Sequence, residues 1–369
     1  MSVAVAGMGW VTPLGRGLDE VWDRLLRGDE AAPQRIDGAE GQASYCAFQV
    51  SPDSLKDLPL HPRLRRASAI SRFAASAGLD AIADAKTKID MSRVALVLAV
   101  SNGGVTYTKR FYHGIVESGT QSASPLLFPE TVFNAPASHL AAILGIESES
   151  YTIVGDGAVG ILALQMASDL LDAGDIDSCL VVAAEEADWI LCDAYRRWRL
   201  VRLQPPIEPF WDPPRGTILS EGAGAVLLAR DGAVKIDKIS AGGNFSHRAK
   251  AVEVLHQILC ELDNRPACII SSANGTFVDL AERAAIKKGM GDAIVYTPKP
   301  PLGESVGASA IWQVIVTARA LQTKALPPSL HACDKAGLHF STPSQEIPRS
   351  GIVLSCGLNQ QAAGLRLSI

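Results

Sequence analysis

Short apolar runs alternate along the chain with longer segments in which apolar residues recur every three or four positions. The runs have the length of strands and are nearly continuous, which is typical of strands covered on both faces. The periodic segments have the length of helices, and several end in glycine, a residue that commonly terminates helices. The pattern therefore predicts an α/β protein whose sheets are covered by helices on both sides.

In the first part of the chain these elements follow one another in strict succession. Helices are predicted in "LDEVWDRLLRG", "PASHLAAILG" and "AVGILALQMASDLLDAG", with Gly145 and Gly174 as C-caps of the second and third. Strands are predicted in "VAVAGM", "RVALVLAVS", "SYTIVG" and "SCLVVAAEE".

After about residue 232 the succession begins again. A strand "CIISSANGT" precedes a helix "DLAERAAIKKG" and a long amphipathic helix "VGASAIWQVIVTARALQTK", and "SGIVLSCGL" and "AAGLRLSI" form a closing pair of strands. We therefore predict a duplicated α/β unit, with residues 1–232 and 233–369 as two halves of one intimate body.

The segment Val201–Gly216 interrupts this regularity with five prolines. Proline lacks an amide hydrogen, so the segment is predicted to be extended or looped. Strand-like sequence returns directly after it, in "TILSEGAGAVLLAR". We therefore expect it to cover another part of the molecule rather than to separate domains.

Composition narrows the functional classes. The chain has 369 residues, 47% apolar and 20% charged, with a formal net charge of −5. This balance gives no indication of nucleic acid or an anionic membrane as the main partner. Glycine breaks the apolar runs and the first residues lack the basic start of a secretory signal, so we expect no membrane span and a cytoplasmic location.

The cysteines indicate a reducing environment. There are seven, scattered and without a CxxC pair, which argues against a disulfide framework or a zinc site. We expect most of them to be small buried hydrophobic residues. No metal and no cofactor are expected.

The stretch "YTIVGDGAVGILALQ" reads as a strand, a sharp turn and a helix. Such a turn exposes a nucleophile at the mouth of a pocket in many enzymes. Here the turn is Gly155, Asp156, Gly157 and Ala158, and it contains no cysteine, serine or threonine.

Several motifs in a fixed order resemble the β-ketoacyl–acyl carrier protein synthases (ketosynthases) of the thiolase superfamily. They are the opening "VAVAGMGWVTPLG" with the helix after it, "FPETVFNAPASHLAAILGIESESYTIVG", "LLDAGDIDSCLVVAAEE", and "EPFWDPPRGTILSEGAGAVLLAR". The resemblance runs nearly end to end. It implies a thiolase-like five-layered αβαβα fold of two pseudo-repeated halves, and a dimer.

The resemblance also implies a catalytic triad, a cysteine and two histidines, at positions that this chain fills differently. Gly157 stands where the family has the acylated cysteine, Asn274 where it has the first histidine and Glu304 where it has the second. Lys299 and Glu282 match residues that the family retains. Because glycine has no side chain to acylate, covalent catalysis at Gly157 is excluded.

Three functional hypotheses follow. The first is a chain-length-factor-type subunit that partners an active ketosynthase in type II fatty acid or polyketide synthesis, aryl polyenes included. The second is a repurposed acyl-transfer or other enzyme that uses Asp156 with Glu304, or Cys356. The third is a homodimeric binding scaffold without catalysis. These residues could also have purely structural roles. Asp156 would then cap the following helix, Cys356 would be a buried thiol, and Glu304 would form an ion pair with Lys299.

Partner contacts are predicted at three places. Arg63, Arg65 and Arg66 form a basic cluster with Arg72, in a position where the resemblance implies docking of an acidic carrier protein; a solvated helix face is the alternative. A second cluster around Trp198, with Arg196, Arg197, Arg199 and Arg202, indicates packing or partner contact. The apolar segments Val132–Leu140 and Tyr151–Gly157 match the family's dimer interface.

The vacated triad raises a question of charge. An unpaired carboxylate is costly to bury, so we predict that Glu304 pairs with Lys299 or hydrogen-bonds Asn274 and fills the site as a polar plug.

Overall fold

The computed structural model describes residues 3–39, 43–262, 267–343 and 345–369. The helices are α1 (Leu18–Arg27), α2 (Ala69–Asp84), α3 (Val105–Ser118), α4 (Ala135–Leu144), α5 (Val159–Ala173), α6 (Trp189–Arg197), α7 (Arg248–Leu262), α8 (Phe277–Gly289), the single turn α9 (Lys299–Leu302) and α10 (Val306–Thr323). None of these described helices is long and apolar enough to cross a membrane.

Most strands belong to one twelve-stranded sheet. Its main path is β13 (His339–Phe340), β12 (Ile294–Tyr296), β11 (Cys268–Ile270), β14 (Ser350–Cys356), β15 (Gln361–Ser368), β10 (Val234–Asn244), β1 (Val3–Thr12), β9 (Gly222–Ala229), β7 (Ser178–Glu185), β5 (Val94–Val100) and β6 (Ser150–Val154). The short β2 (Gly15–Arg16) pairs with β1, and β3 (Gln34–Asp37), β4 (Ser44–Phe48) and β8 (Leu219–Ser220) form a small second sheet.

The two halves of the large sheet repeat one pattern. In the order β6-β5-β7-β9-β1, β5 pairs in parallel with β6 and β7, and the pairs β7–β9 and β9–β1 are antiparallel. In the order β12-β11-β14-β15-β10, β11 pairs in parallel with β12 and β14, and the pairs β14–β15 and β15–β10 are antiparallel. The pairing of β1 with β10 joins the halves.

Helices complete five layers. On one side α2 packs on β1, β7 and β9 and is joined by α4, and on the other α7 packs on β10 and β15 and is joined by α8. Between the two halves of the sheet lie α5 and α10, which contact each other and strands of both halves. The thiolase-like αβαβα architecture that the resemblance implied is therefore confirmed.

The prediction of an amphipathic α10 is wrong. Every residue of this helix from Val306 to Ala318 is buried. The reason is its place in the central layer, where sheet strands lie on both sides and no face meets solvent. The predicted caps are correct, because Gly145 ends α4 and Gly174 ends α5, both with the positive φ that glycine adopts readily.

The proline-rich segment covers the turn that follows β11, as predicted. Ile207 and Phe210 are completely buried, and the amide of Gly216 donates a hydrogen bond to the carbonyl of Gly275 at 2.7 Å. A side chain on Gly275 would collide with the carbonyl oxygen of Gly216, so the two backbones pack directly on each other.

The interpretation of the cysteines as buried small residues holds for five of the seven. Cys46, Cys179, Cys192, Cys268 and Cys356 are buried, whereas Cys260 is exposed and Cys333 is partly exposed.

Candidate functional site

The turn between β6 and α5 is closed by the loop that follows β14. The carbonyl of Gly157 accepts a hydrogen bond from Ser355 Oγ at 2.8 Å. A Cβ atom built on Gly157 would lie 3.1 Å from the Cα of Gly357, which is tighter than ordinary carbon contacts. Gly157 therefore presents only backbone, and the backbone of the loop after β14 packs onto it.

Asp156 fastens that loop to the turn. Its carboxylate accepts hydrogen bonds from the amides of Leu358 at 3.2 Å and Asn359 at 2.7 Å. Burial raises the pKa of Asp156 and the charge of Glu304 adds to the rise, while backbone hydrogen bonds oppose it. The carboxylate also occupies the space that a Cβ on Gly357 would need.

The second turn of the site lies between β11 and α8 and contains Asn274. Its Nδ2 donates to Glu304 Oε2 at 2.6 Å, and its Oδ1 accepts from the hydroxyl of Thr276 at 2.6 Å. The backbone amides of Asn274 and Gly275 donate to the buried carboxylate of Asp279. Burial raises the pKa of Asp279 to about 6 against these hydrogen bonds.

Glu304 lies after α9 and is the centre of a buried polar network. Its Oε1 accepts from Lys299 Nζ at 2.8 Å and from Ser309 Oγ at 2.9 Å. Lys299 and Glu304 are 2% and 4% exposed, so desolvation lowers the pKa of Lys299 while the Glu304 charge opposes the change. The prediction that Glu304 pairs with Lys299 or Asn274 is confirmed, and both contacts are present.

Glu282 is held by two serines. Its carboxylate accepts from the amide of Ser272 at 3.1 Å and from the hydroxyls of Ser271 and Ser272. Burial raises the pKa of Glu282 to about 7 in spite of these contacts. The hydroxyl of Ser272 also accepts a hydrogen bond from the amide of Cys356 at 2.8 Å, which links Glu282 to the strand β14.

Cys356 lacks the surroundings of a reactive thiol. It is 4% exposed, and burial together with the charges of Glu282, Asp156 and Asp279 raises its pKa well above the usual range. Thiolate is the nucleophilic form of cysteine, so this environment holds Cys356 in its inert form.

The structure thus assembles most of the residues singled out in the sequence. Asn274, Glu304 and Lys299 are in direct contact, and Asp156 lies close enough to Glu304 for the charge of one to shift the pKa of the other. The cluster Arg63, Arg65 and Arg66 lies on the exposed turn that precedes α2. No group of three or more possible metal-binding side chains is found among the described residues.

Sequence reasoning missed Tyr195 and Glu185. Burial raises the pKa of the Tyr195 hydroxyl, and the negative charges of Glu185, Asp156 and Glu304 raise it further. A hydrogen bond with Asn102 opposes the rise. Glu185 accepts from the amides of Ser101 and Gly307, and burial raises its pKa to about 8. A carboxylate directly at the end of the apolar strand "SCLVVAAEE" was the available signal, because a charge there requires buried partners.

Comparison with known proteins identifies the family. Residues 1–233 match the N-terminal domain of β-ketoacyl synthases, and residues 232–333 match their C-terminal domain. The chain belongs to the β-ketoacyl synthase family.

This chain is similar to curated proteins that are named 3-oxoacyl-[acyl-carrier-protein] synthases. It is 23% identical over 371 residues to 3-oxoacyl-[acyl-carrier-protein] synthase 2 of Vibrio cholerae, covering 89% of this chain and 88% of that protein. It is 24% identical to the chloroplastic 3-oxoacyl-[acyl-carrier-protein] synthase I of Hordeum vulgare, covering 89% of this chain and 79% of that protein.

Solved structures share the fold over the whole chain. The ishigamide ketosynthase/chain length factor matches with a TM-score of 0.88 at 20% identity, covering 100% of this chain and 98% of that one. The ketosynthase ApeO in complex with its chain length factor ApeC from Xenorhabdus doucetiae matches with a TM-score of 0.81 at 17% identity, covering 100% and 98%.

Proposed function

We propose that this member of the β-ketoacyl synthase family is a non-condensing partner subunit of the chain-length-factor type. It pairs with an active ketosynthase in type II fatty acid or polyketide synthesis. The observation that supports this most strongly is the state of the site. The nucleophile position Gly157 has no side chain, and Glu304 and Asn274, at the two histidine positions, hydrogen-bond each other.

Condensation by the family route requires a thiolate to accept the acyl group and imidazoles to act on the malonyl extender. Glycine and asparagine supply neither group. Glu304 is held by Lys299, Ser309 and Asn274, so both carboxylate oxygens have buried partners. An oxygen that already accepts such bonds is a poor base toward a substrate.

The geometry argues against a repurposed enzyme. Asp156 is committed to two backbone amides of the loop after β14, and Cys356 is a buried thiol with a raised pKa. Cys356 lacks the exposure that a nucleophile at a pocket mouth needs, and the carboxylate of Asp156 already accepts hydrogen bonds that weaken it as a general base. The site therefore supports a partner subunit better than a repurposed enzyme.

The proposed partner surface lies beside the site. β6 is the edge strand of the large sheet, and it exposes the apolar side chains of Tyr151 and Val154. Val132 and Phe133, in the other segment predicted to form an interface, are exposed as well. An open edge strand with exposed apolar side chains pairs readily with another chain. Two of the structures with this fold are described as ketosynthase and chain length factor assemblies, which favours a second ketosynthase-fold chain as the occupant over a homodimeric scaffold.

Carrier-protein docking is a second part of the proposal. Arg63, Arg65 and Arg66 are exposed at the turn before α2, next to a groove of about 530 Å³ that is lined by Leu58, Leu60 and other residues. A basic rim around apolar side chains suits an acidic helical partner.

Purification from the native host tests the pairing. The tagged chain is expected to bring down, at equal stoichiometry, a ketosynthase whose sequence contains the cysteine and both histidines. Peptide mass spectrometry identifies that partner. Recovery of the chain as a homodimer with no such partner would instead support the scaffold hypothesis.

A further inference from the structure

A second buried network lies away from the candidate site, around Glu130. This residue ends the short 3-10 turn Phe128–Glu130, and its side chain is 5% exposed. The turn lies in the segment Leu126–Phe133, which we call the apolar segment because Leu126, Phe128, Val132 and Phe133 all expose large apolar side chains there.

Three groups from two helices hold the Glu130 carboxylate. His139 Nε2, on α4, lies 2.5 Å from Oε1. The amide of Ser68, at the start of α2, donates to Oε2 at 2.9 Å, and the hydroxyl of Ser71 donates to the same oxygen at 3.1 Å. The hydroxyl of Ser68 donates to that of Ser71 at 2.9 Å, so the contacts form one connected network.

The network favours the charged carboxylate. Burial opposes ionisation, but the hydrogen bonds from His139 and Ser68 outweigh it and lower the pKa of Glu130 to about 2. Charge-assisted hydrogen bonds in a buried site are among the stronger polar contacts in proteins.

The apolar segment also packs closely against the backbone of two glycines, Gly103 and Gly104. A Cβ on Gly104 would lie 2.6 Å from the carbonyl oxygen of Glu130, and a Cβ on Gly103 would lie 2.7 Å from the ring of Phe133. The ring of Phe128 packs on that of Phe111 with centroids 5.8 Å apart. Glu130 is therefore a polar anchor that ties this segment to α2 and α4, in addition to the ring contact with Phe111 and the close approach to the two glycines.

We infer that Glu130 is a positioning residue for partner binding, which fixes the apolar segment in the conformation that a second ketosynthase-fold chain contacts. This inference rests on the proposed function, because it takes the exposed faces of the apolar segment and β6 as the interface. Ordering a loop before binding removes the entropic cost of ordering it on binding, so the anchor raises affinity without touching the partner.

Glu130→Ala and a matched control, Glu221→Ala, test the inference. Glu221 is also a buried carboxylate that accepts from two backbone amides, those of Val50 and Ala187. Analytical ultracentrifugation measures the dissociation constant of the complex with the co-purified ketosynthase, or of the homodimer. Hydrogen exchange reports protection of the amides in residues 127–133, and thermal unfolding reports stability.

Glu130→Ala is expected to weaken the complex roughly ten-fold or more and to expose those amides to exchange. Glu130→Gln is expected to recover part of the affinity. Glu221→Ala is expected to lower the unfolding temperature but to leave the dissociation constant within about two-fold. Unchanged affinity and protection in Glu130→Ala, or an equal loss of affinity in Glu221→Ala, would overturn the inference.

Failure of the proposed function looks different. A wild-type chain that forms no dimer of either kind would contradict the proposed pairing and the claim about affinity together. Hydrogen exchange would then still show separately whether Glu130 holds the apolar segment.

Discussion

At the scale of single residues, Glu304 is the hydrogen-bonding centre of the buried network. Its carboxylate accepts a hydrogen bond from Lys299, and the pair is buried together with Asn274 and Ser309. Glu304→Ala removes the acceptor and leaves the ammonium of Lys299 uncompensated in the core. We expect the free energy of unfolding to fall by roughly 1–4 kcal/mol, measured by urea denaturation.

A surface ion pair provides the control for this substitution. Arg35 and Asp37 are 2.7 Å apart and both exposed, so Asp37→Ala is expected to change stability by less than about 0.5 kcal/mol. If Glu304→Ala is as neutral as Asp37→Ala, the buried network does not stabilise the fold.

A triple variant tests whether side chains alone account for the proposed lack of condensation. Gly157→Cys, Asn274→His and Glu304→His place the cysteine and both histidines at the positions that the family resemblance implies. A Cβ at residue 157 meets the Cα of Gly357 at 3.1 Å, and the histidine at residue 304 leaves Lys299 without its carboxylate. We expect no robust condensing activity in an assay with acyl-carrier protein and malonyl extender. Efficient condensation would show that the site contains an open cavity and that the network of Glu304 with Lys299 and Asn274 does not prevent the reaction.

At the scale of elements, Asp156 joins the turn before α5 to the loop after β14. Gly357→Ala is expected to be strongly destabilising, because its Cβ would overlap the carboxylate of Asp156. Asp156→Ala removes the obstacle as well as the hydrogen bonds to Leu358 and Asn359. The double variant should therefore lose less stability than the sum of the single losses, a non-additivity that thermal unfolding detects. Strict additivity would mean that the two residues do not share this contact.

The elements of this fold were predictable, whereas their contacts were only partly so. The buried strand "RVALVLAVS" and the caps Gly145 and Gly174 follow from local periodicity and glycine chemistry. The contact of Glu304 with Lys299 was predictable because five positions separate the two residues and a buried carboxylate needs a cation. The contact of Asp156 with the loop at Gly357 joins residues about 200 positions apart in the sequence, and no local pattern predicts which residues so far apart will meet.

The burial of α10 is a second case in which a local sequence pattern did not predict contacts with distant elements. Its sequence was interpreted as amphipathic, yet sheet strands cover it on both sides because it lies between the two halves. Periodicity describes one helix at a time and cannot show that strands from the other half of the large sheet will cover its polar face. The Glu130 network could not be predicted for a related reason, since Ser68 and Ser71 belong to α2 and its N-cap whereas His139 belongs to α4.

At the scale of the whole molecule, buried carboxylates set the dependence of stability on pH. Burial raises the pKa of Glu185 to about 8, and those of Glu186, Glu221 and Glu282 to about 7. Because these values lie above the ordinary value of 4.5, the folded state binds the protons more tightly than the unfolded chain does. The stabilisation is present below pH 4.5 and is lost as the pH rises through 7 to 8.

Glu130 acts in the opposite sense. Its pKa is lowered to about 2. Its contribution to the stability of the fold is therefore present above pH 4.5 and is lost as the pH falls toward 2. We therefore expect the unfolding temperature to be highest near about pH 5 and to decline toward about pH 8.5. Glu282→Gln should flatten the decline. A stability that rises between those pH values would contradict the assignment of these carboxylates as protonated in the fold.

The arginine cluster makes a separate prediction about association. Arg63→Glu together with Arg65→Glu should weaken binding of an acidic carrier protein, measured by titration at low and high salt. Lys235→Glu together with Lys238→Glu, which changes the same charge on exposed positions of β10, is the matched control. Equal weakening in both pairs would indicate a general effect of net charge rather than docking at the turn before α2.

In the proposed function this chain assists condensation without performing it. Native mass spectrometry of the complex purified from its host, after incubation with acyl-carrier protein, is the decisive experiment. We expect a one-to-one assembly with a condensing ketosynthase, in which one acyl group is attached and dissociation of the subunits leaves it on the partner's cysteine. An acyl group bound covalently to this chain, on Cys356 or on any other residue, would contradict it.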